Sequence, residues 1–389
     1  MSAFKNRTAF EVAKKMKAFL SLDTGFMRRT ALGRRVWQQL AGENGQAVAL
    51  RKGLARARSV MRLPDPSRQS PPIFFVVGYQ KSGTTWLMKM LDSHPEILCQ
   101  GEGRPFGRDW RREHLKEKRA SYPPTSLYNA IVSSEDLRYW VERSVWSRRD
   151  DVDEHLTNLT GLAIEYFLTQ RLLKTGKRMA GDKTVLLTPE IVKEIGAVCP
   201  KAKVIHIIRD GRDVVVSSMH HRWNQAEDQG GTGKISPEQL AKREAYRENP
   251  QMLLETDEGL FANGGLTGNA VRWSTRVGET VKDGPVLLGD NYIEVRYEDL
   301  LERSEEEVRR LLKFLGADAA EQTVKACVNA ASFEKLSGGR KRGQEAASFF
   351  RKGIAGDWKN VFTERNKQDF KAVAGELLIE LGYEEDNNW

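Results

Sequence analysis

The residues best placed to do chemistry lie in the run Gly78-Tyr-Gln-Lys81-Ser82-Gly83-Thr84-Thr85-Trp86. An apolar run, Ile73 to Val77, precedes it, and a helical stretch, Thr84 to Leu91, follows. A helix N-terminus presents unpaired backbone N–H groups and a partial positive charge, which together favour an anion. Gly83 lets a ligand approach the backbone, Ser82, Thr84 and Thr85 add hydroxyls, and Lys81 adds a point charge. The run is not a Walker A loop, because Gly83 is followed by Thr84 and not by Lys. Gly233-Lys234 fails the same test, being followed by Ile235. A plain strand-to-helix turn would leave the adjacent lysine and hydroxyls unexplained.

A second block, Val204 to Ser218, puts Arg209 at the end of a buried strand and Ser217 eight residues later, on the next helix. Arginine suits planar, bidentate recognition of phosphate. The block also imitates a Walker B segment, in which Asp210 would hold magnesium, and it admits a structural ion pair. A third block, Phe350-Arg351-Lys352-Gly353-Ile-Ala-Gly356-Asp357-Trp358-Lys359-Asn360, reads as a cationic loop that clamps an anion.

These three blocks, in this order, resemble the sulfotransferases that use 3′-phosphoadenylyl sulfate (PAPS) and release PAP. The first is similar to their 5′-phosphosulfate loop, with Gln80 in place of proline. The resemblance implies that Lys81 contacts the phosphosulfate and assists the leaving group, with Ser82, Gly83, Thr84 and Thr85 beside it. It also implies that Trp86 stacks on adenine, although plain core packing is the other reading of that residue. By the same resemblance Arg209, Ser217, Arg351, Lys352 and Gly353 hold the 3′-phosphate. Tyr297, in the run Arg296-Tyr297-Glu298-Asp299, fits the family less specifically. The resemblance covers about 71 to 363, with the middle, 104–160, and the 224–268 stretch unmatched.

Sulfuryl transfer needs a base for the acceptor's proton. Many cytosolic members take it from the histidine of a Lys-Thr-His motif, but here Gly181-Asp182-Lys183-Thr184 runs into Val185. The segment Asp92 to Glu102 instead resembles tyrosylprotein and some carbohydrate sulfotransferases, whose base is a Glu about 21 residues after the loop lysine. That position is Glu102. Lys183 is similar to the family's second catalytic lysine. His206, His220 and His221 are the alternative bases, with His206 expected to be a core histidine because it interrupts an apolar strand.

The elements that must position these groups follow from periodicity. Ile73–Val77 and Val204–Ile208 read as strands buried on both faces, and Tyr292–Val295 as a third. Helices are expected over Leu137–Trp146, Gly161–Leu173, Arg212–Arg222 and about 364–381. Ser304 with Glu307 predicts a capping box opening a helix to Leu315. Strands alternating with helices give an α/β, P-loop-like fold with a mostly parallel central sheet. The expected organisation is a basic helical extension over 1–68, a break at 64–72 and one domain over 69–389, with 224–268 an insertion or lid.

Among 389 residues, 62 are Lys or Arg and 53 are Asp or Glu. Residues 1–70 carry 15 of the basic and only 4 of the acidic ones. That segment suits either a solvated helical face or an anionic surface, and a peripheral membrane contact is expected ahead of nucleic acid. The three cysteines are sparse and unpatterned, which fits a reducing cytoplasm, and no Cys/His spacing suggests a metal. Neither a signal peptide nor a membrane-spanning run is expected. Lys359 and Thr363 match the cytosolic family's dimer motif, but Glu364 and Gln368 depart from it, so no oligomeric state follows. The expected partner is a hydroxyl-bearing small molecule, glycan or lipid. A magnesium-dependent P-loop kinase and a non-catalytic nucleotide-binding module are the competing readings.

Overall fold

The computed structural model describes residues 70–107, 126–228, 235–249, 259–261, 264–346, 348 and 350–389. The basic helical extension expected over 1–68 lies outside the described residues, as do most of the break at 64–72 and parts of 224–268.

Five parallel strands form one sheet: β1 (Ile73–Gly78), β2 (Ile97–Gly101), β3 (Met179–Val185), β4 (Lys203–Ile208) and β5 (Tyr292–Arg296). Their spatial order is β2-β3-β1-β4-β5. The helices are α1 (Thr84–Asp92), α2 (Leu127–Val132), α3 (Glu135–Arg143), α4 (Val152–Leu172), α5 (Ile191–Val198), α6 (Gly211–Asp228), α7 (Pro237–Glu248) and α8 (Gly265–Leu288), then α9 (Tyr297–Glu302), α10 (Ser304–Leu315), α11 (Glu321–Ala330), α12 (Phe333–Leu336) and α13 (Glu364–Glu380). The mixed α/β expectation and its parallel sheet are met.

Side chains alternate across β1. Phe74 and Val76 join a core with α1, α10 and α11, while Phe75 and Val77 join another with α4 and α5. Burying a Val or Phe contributes about 1.5–3 kcal/mol over leaving it exposed, which is why the central strands read as unbroken apolar runs. A third core gathers α6, α8 and α13 around Trp273 and Phe370. His206 is fully buried, 2.8 Å from the Tyr292 hydroxyl, and burial pushes its pKa down to about 3. It is the core histidine its strand position predicts.

Several boundaries differ from the sequence reading, each for a local reason. α3 stops at Arg143, short of Trp146, because Ser144 takes an extended backbone. α4 starts at Val152, well before Gly161, because the Asp151 carboxylate accepts from the N–H groups of Asp153 and Glu154. The capping box predicted at Ser304 does not form. Ser304 is already helical and its hydroxyl donates to Leu300 O, while Glu307 pairs with Arg310. A capping box forms instead at Thr363 and Asn366, opening α13.

The order of the strands decides where a ligand can sit. From β1 the chain turns to the β3–β2 side, and from β4 it turns to β5. The loops after β1 and β4 therefore part from each other, leaving a crevice at their carboxyl ends.

Candidate active site

All three phosphate-type blocks open into that crevice. It is a cavity of about 530 Å³ whose wall includes Lys81, Gly83, Thr84, Thr85, Trp86, Glu102, Lys183, Arg209, Ser217, Tyr297, Arg351, Lys352 and Gly353. Among the residues assigned to phosphate contact, Ser82 is missing from the wall. It is fully buried, and its hydroxyl has no hydrogen-bond partner among the described residues. Lys81 takes a left-handed backbone, with φ 69°. Gly83 follows at φ 92° as the N-cap of α1, which aims the helix's first N–H groups into the cavity.

Arg209 joins the blocks to one another. Its guanidinium donates to Lys81 O at 3.2 Å and to Ile354 O at 3.0 Å, and it lies 4.4 Å from the centre of the Tyr297 ring. Asp213, one helical turn on, pairs with Arg209 and accepts from the N–H groups of Gly356 and Trp358. The third loop is thus held by the second. Arg351 and Lys352 face Glu345 and Asp357. Burial pushes the Asp357 pKa up, but those two cations hold it down to about 2. Lys81 is pulled down to about 8, first by burial and then by Arg209, Lys183 and Arg351. So many cations converging on one enclosure suit a site for a polyanion.

Trp86 is 6% exposed, and its indole N–H donates to Ala331 O at 2.8 Å. Tyr297 meets the indole edge-on and Arg342 lies 5.1 Å from the ring centre. Most of the indole is core packing, and its remaining edge belongs to the cavity wall.

At the β2–β3 side, Lys183 Nζ lies 2.5 Å from Glu102 Oε1 and 3.5 Å from Thr85 Oγ1. The lysine side chain is 6% exposed and the glutamate 52%, so the carboxylate faces the open part of the cavity. Among the described histidines, only His221 lines the wall, with its pKa lowered to about 4 by burial and Lys81. His220 is packed between Trp223 and Tyr246, and His206 lies in the core. Asp210 does not offer a free carboxylate to magnesium, because both its oxygens bind the Arg212 guanidinium. Among the described residues no group of His, Cys, Asp and Glu could hold a metal ion.

The sequence reading missed Arg104, Phe106, Thr184, Leu187, Phe333 and Arg342, all in the wall. Arg104 and Phe106 follow Glu102 at steps of two, a local signal that was available. Phe333 and Arg342 reach the site only through tertiary folding.

A model of the sulfotransferase domain matches residues 71–382. The chain belongs to the sulfotransferase family. Sulfotransferase 1A1 of Rattus norvegicus is 29% identical over 193 residues, 47% of this chain and 58% of the relative. Sulfotransferase 2A1 of Homo sapiens is 23% identical over 190 residues, 46% of this chain and 58% of the relative. The chain thus spans a little over half the length of these curated relatives. Among solved structures, retinol dehydratase in a complex with retinol and PAP is similar at a TM-score of 0.42 and 20% identity, covering 80% of this chain and 82% of that one. The sulfotransferase domain from the Curacin biosynthetic pathway gives 0.44 and 17%, covering 80% and 98%.

Proposed function

We propose that this sulfotransferase-family chain moves a sulfuryl group from PAPS to a hydroxyl of a small-molecule, glycan or lipid-linked acceptor, within the domain 69–389. The observation that carries the reading is the Glu102–Lys183–Thr85 contact in the wall of a cavity that also gathers Lys81, Arg209, Arg351 and Lys352. Lys81 and the α1 N-terminus suit the phosphosulfate, while Arg209, Ser217, Arg351, Lys352 and Gly353 suit the 3′-phosphate. Trp86 and Tyr297 supply aromatic surface for the nucleoside.

In the step itself the acceptor oxygen bonds to sulfur as the sulfur–oxygen bond to the 5′-phosphate breaks, and the hydroxyl proton passes to Glu102. Lys81 and Lys183 offset the charge that develops on the leaving phosphate and the transferring group. Lys183 starts out paired with Glu102, so its movement toward the donor frees the carboxylate to act as base. No metal is needed.

The test is transfer from ³⁵S-labelled PAPS to a panel of phenols, alcohols and glycans, read by mass spectrometry, with and without a chelator. Labelled sulfate esters in both arms are expected. ATP hydrolysis with magnesium and no transfer would establish the kinase-like reading instead.

A further inference from the structure

The short loop 102–107 leaves β2 and carries Glu102, Arg104 and Phe106, all in the cavity wall. Its backbone is under strain, with φ 61° at Glu102 and 54° at Arg104. Left-handed backbone at a non-glycine residue is strained and persists only where the surroundings over-determine it. Those surroundings can be named. Glu102 N–H donates to Lys183 O at 3.0 Å, and Gly103 N–H donates to Asp182 Oδ2 at 3.0 Å. Farther along, Phe106 packs edge-on to Phe75, and Gly107 N–H donates to Glu194 Oε2 at 2.6 Å.

Asp182 and Lys183 are successive residues of β3, so their side chains leave opposite faces of the strand. Lys183 meets the Glu102 carboxylate from one face. Asp182, 6% exposed, holds the next peptide from the other, and its second oxygen accepts from Thr184 Oγ1 at 2.8 Å. The loop rests directly on this carboxylate, since a Cβ added at Gly103 would lie 2.9 Å from Asp182 Oδ2. The proposed chemistry makes no use of Asp182, yet the residue is buried, ionisable and adjacent to both catalytic groups.

We infer that Asp182 is a positioning residue whose carboxylate fixes the strained loop bearing Glu102, and whose protonation releases that loop. The inference rests on Glu102 being the base. Burial pushes the Asp182 pKa up to about 6, against the pull of Gly103 N–H, the Thr184 hydroxyl and Lys183, and with a further push from Glu102. Three charged or titratable groups act on its carboxylate: Glu102 on the loop, Lys183, which leaves the other face of its own strand, and Cys99 on β2, whose thiol burial keeps protonated. From β1 the register partner is Phe75, and from β2 it is Gln100, neither of them titratable. The sign follows. Above pH about 6 both oxygens accept. Below it a proton occupies one of them, and either Gly103 N–H or the Thr184 hydroxyl loses its acceptor.

The test compares the wild-type chain with Asp182→Asn and Asp182→Ala. Amide hydrogen exchange across 100–107 is corrected for intrinsic rate and followed from about pH 8 to about pH 5. Transfer from labelled PAPS to 2-naphthol is followed over the same range, and PAP affinity serves as the check on folding. Wild-type protection of the loop is expected to fall about tenfold as pH drops through 6. Asn cannot titrate and, like the protonated acid, offers one acceptor oxygen and one donor, so its protection stays level at the value the wild type reaches below pH about 6. Ala leaves the loop unprotected at every pH and lowers kcat about a hundredfold, with KM and PAP affinity little changed. Wild-type-like protection in the Ala variant, or a wild-type profile that stays level through pH 6, overturns the inference. The exchange measurement needs no acceptor, so it decides the role of Asp182 even if transfer is never seen, which would count against the proposed function alone.

Discussion

Lys81 sits where burial and three other cations all oppose its charge, which is why its pKa is drawn down to about 8. An anion bound beside it restores the proton. PAP binding at pH 8 is therefore expected to take up a fraction of a proton, and affinity falls as pH rises through 8. Calorimetry in buffers of different ionisation enthalpy measures that uptake, and Lys81→Met removes it. Glu102 is the complementary case, a carboxylate open to the acceptor and steadied by Lys183. Glu102→Gln cannot take a proton, so kcat is expected to drop about 10²–10⁴-fold while PAP affinity holds. Steady-state kinetics beside a binding titration separates the two effects. A fall in PAP affinity equal to the fall in kcat would return Glu102 to a structural role.

At the scale of elements, the turn from β1 into α1 carries the proposed phosphosulfate contacts. Gly83 is needed there twice over. Its φ of 92° suits only glycine, and a Cβ would lie 2.6 Å from Tyr297 Cδ2. Gly83→Ala is expected to lower stability by about 1–3 kcal/mol, seen as a lower Tm, and to weaken PAP binding more than tenfold as the loop shifts. An unchanged Tm and PAP affinity would show that the turn tolerates a side chain. The strands β1 and β4 were legible because Ile73–Val77 is a continuous apolar run and Val204–Ile208 is one but for His206, both between two helical layers. β3 was not. Its end, Asp182-Lys183-Thr184, is polar although buried, because those residues hold the site. Local pattern fails where function overrides it. α8 escaped notice for a different reason, since Gly265, Gly268, Gly278, Gly284 and Pro285 dilute its helical signal while packing against α13 and α5 supports it.

Across the whole molecule, segments as far apart as 81, 209 and 351 reach one cavity because the chain changes direction across β1. Arg209 then ties the first loop to the third. Among the described residues no helix is long and apolar enough to cross a membrane. The basic segment 1–68 lies outside them, and its expected contact with an anionic bilayer is tested directly. The full chain should sediment with phosphatidylserine vesicles at low salt and be released at high salt, and a chain lacking 1–68 should not sediment. Binding retained without that segment would reassign the contact. What the sequence by itself determined is the family resemblance and the proposed donor side, because phosphate recognition uses backbone geometry and cations that sit close together along the chain, in Lys81 to Trp86, in Arg209 to Ser217 and in Arg351 to Gly353. The departure at Val185 also pointed to Glu102. Only the tertiary structure decided that Lys183 meets Glu102, that Asp182 underpins the loop between them, and that Ser82 turns inward. Those outcomes depend on strand register and on which face of β3 each side chain leaves. Register is set by packing between elements far apart in sequence, and no local run of residues records it.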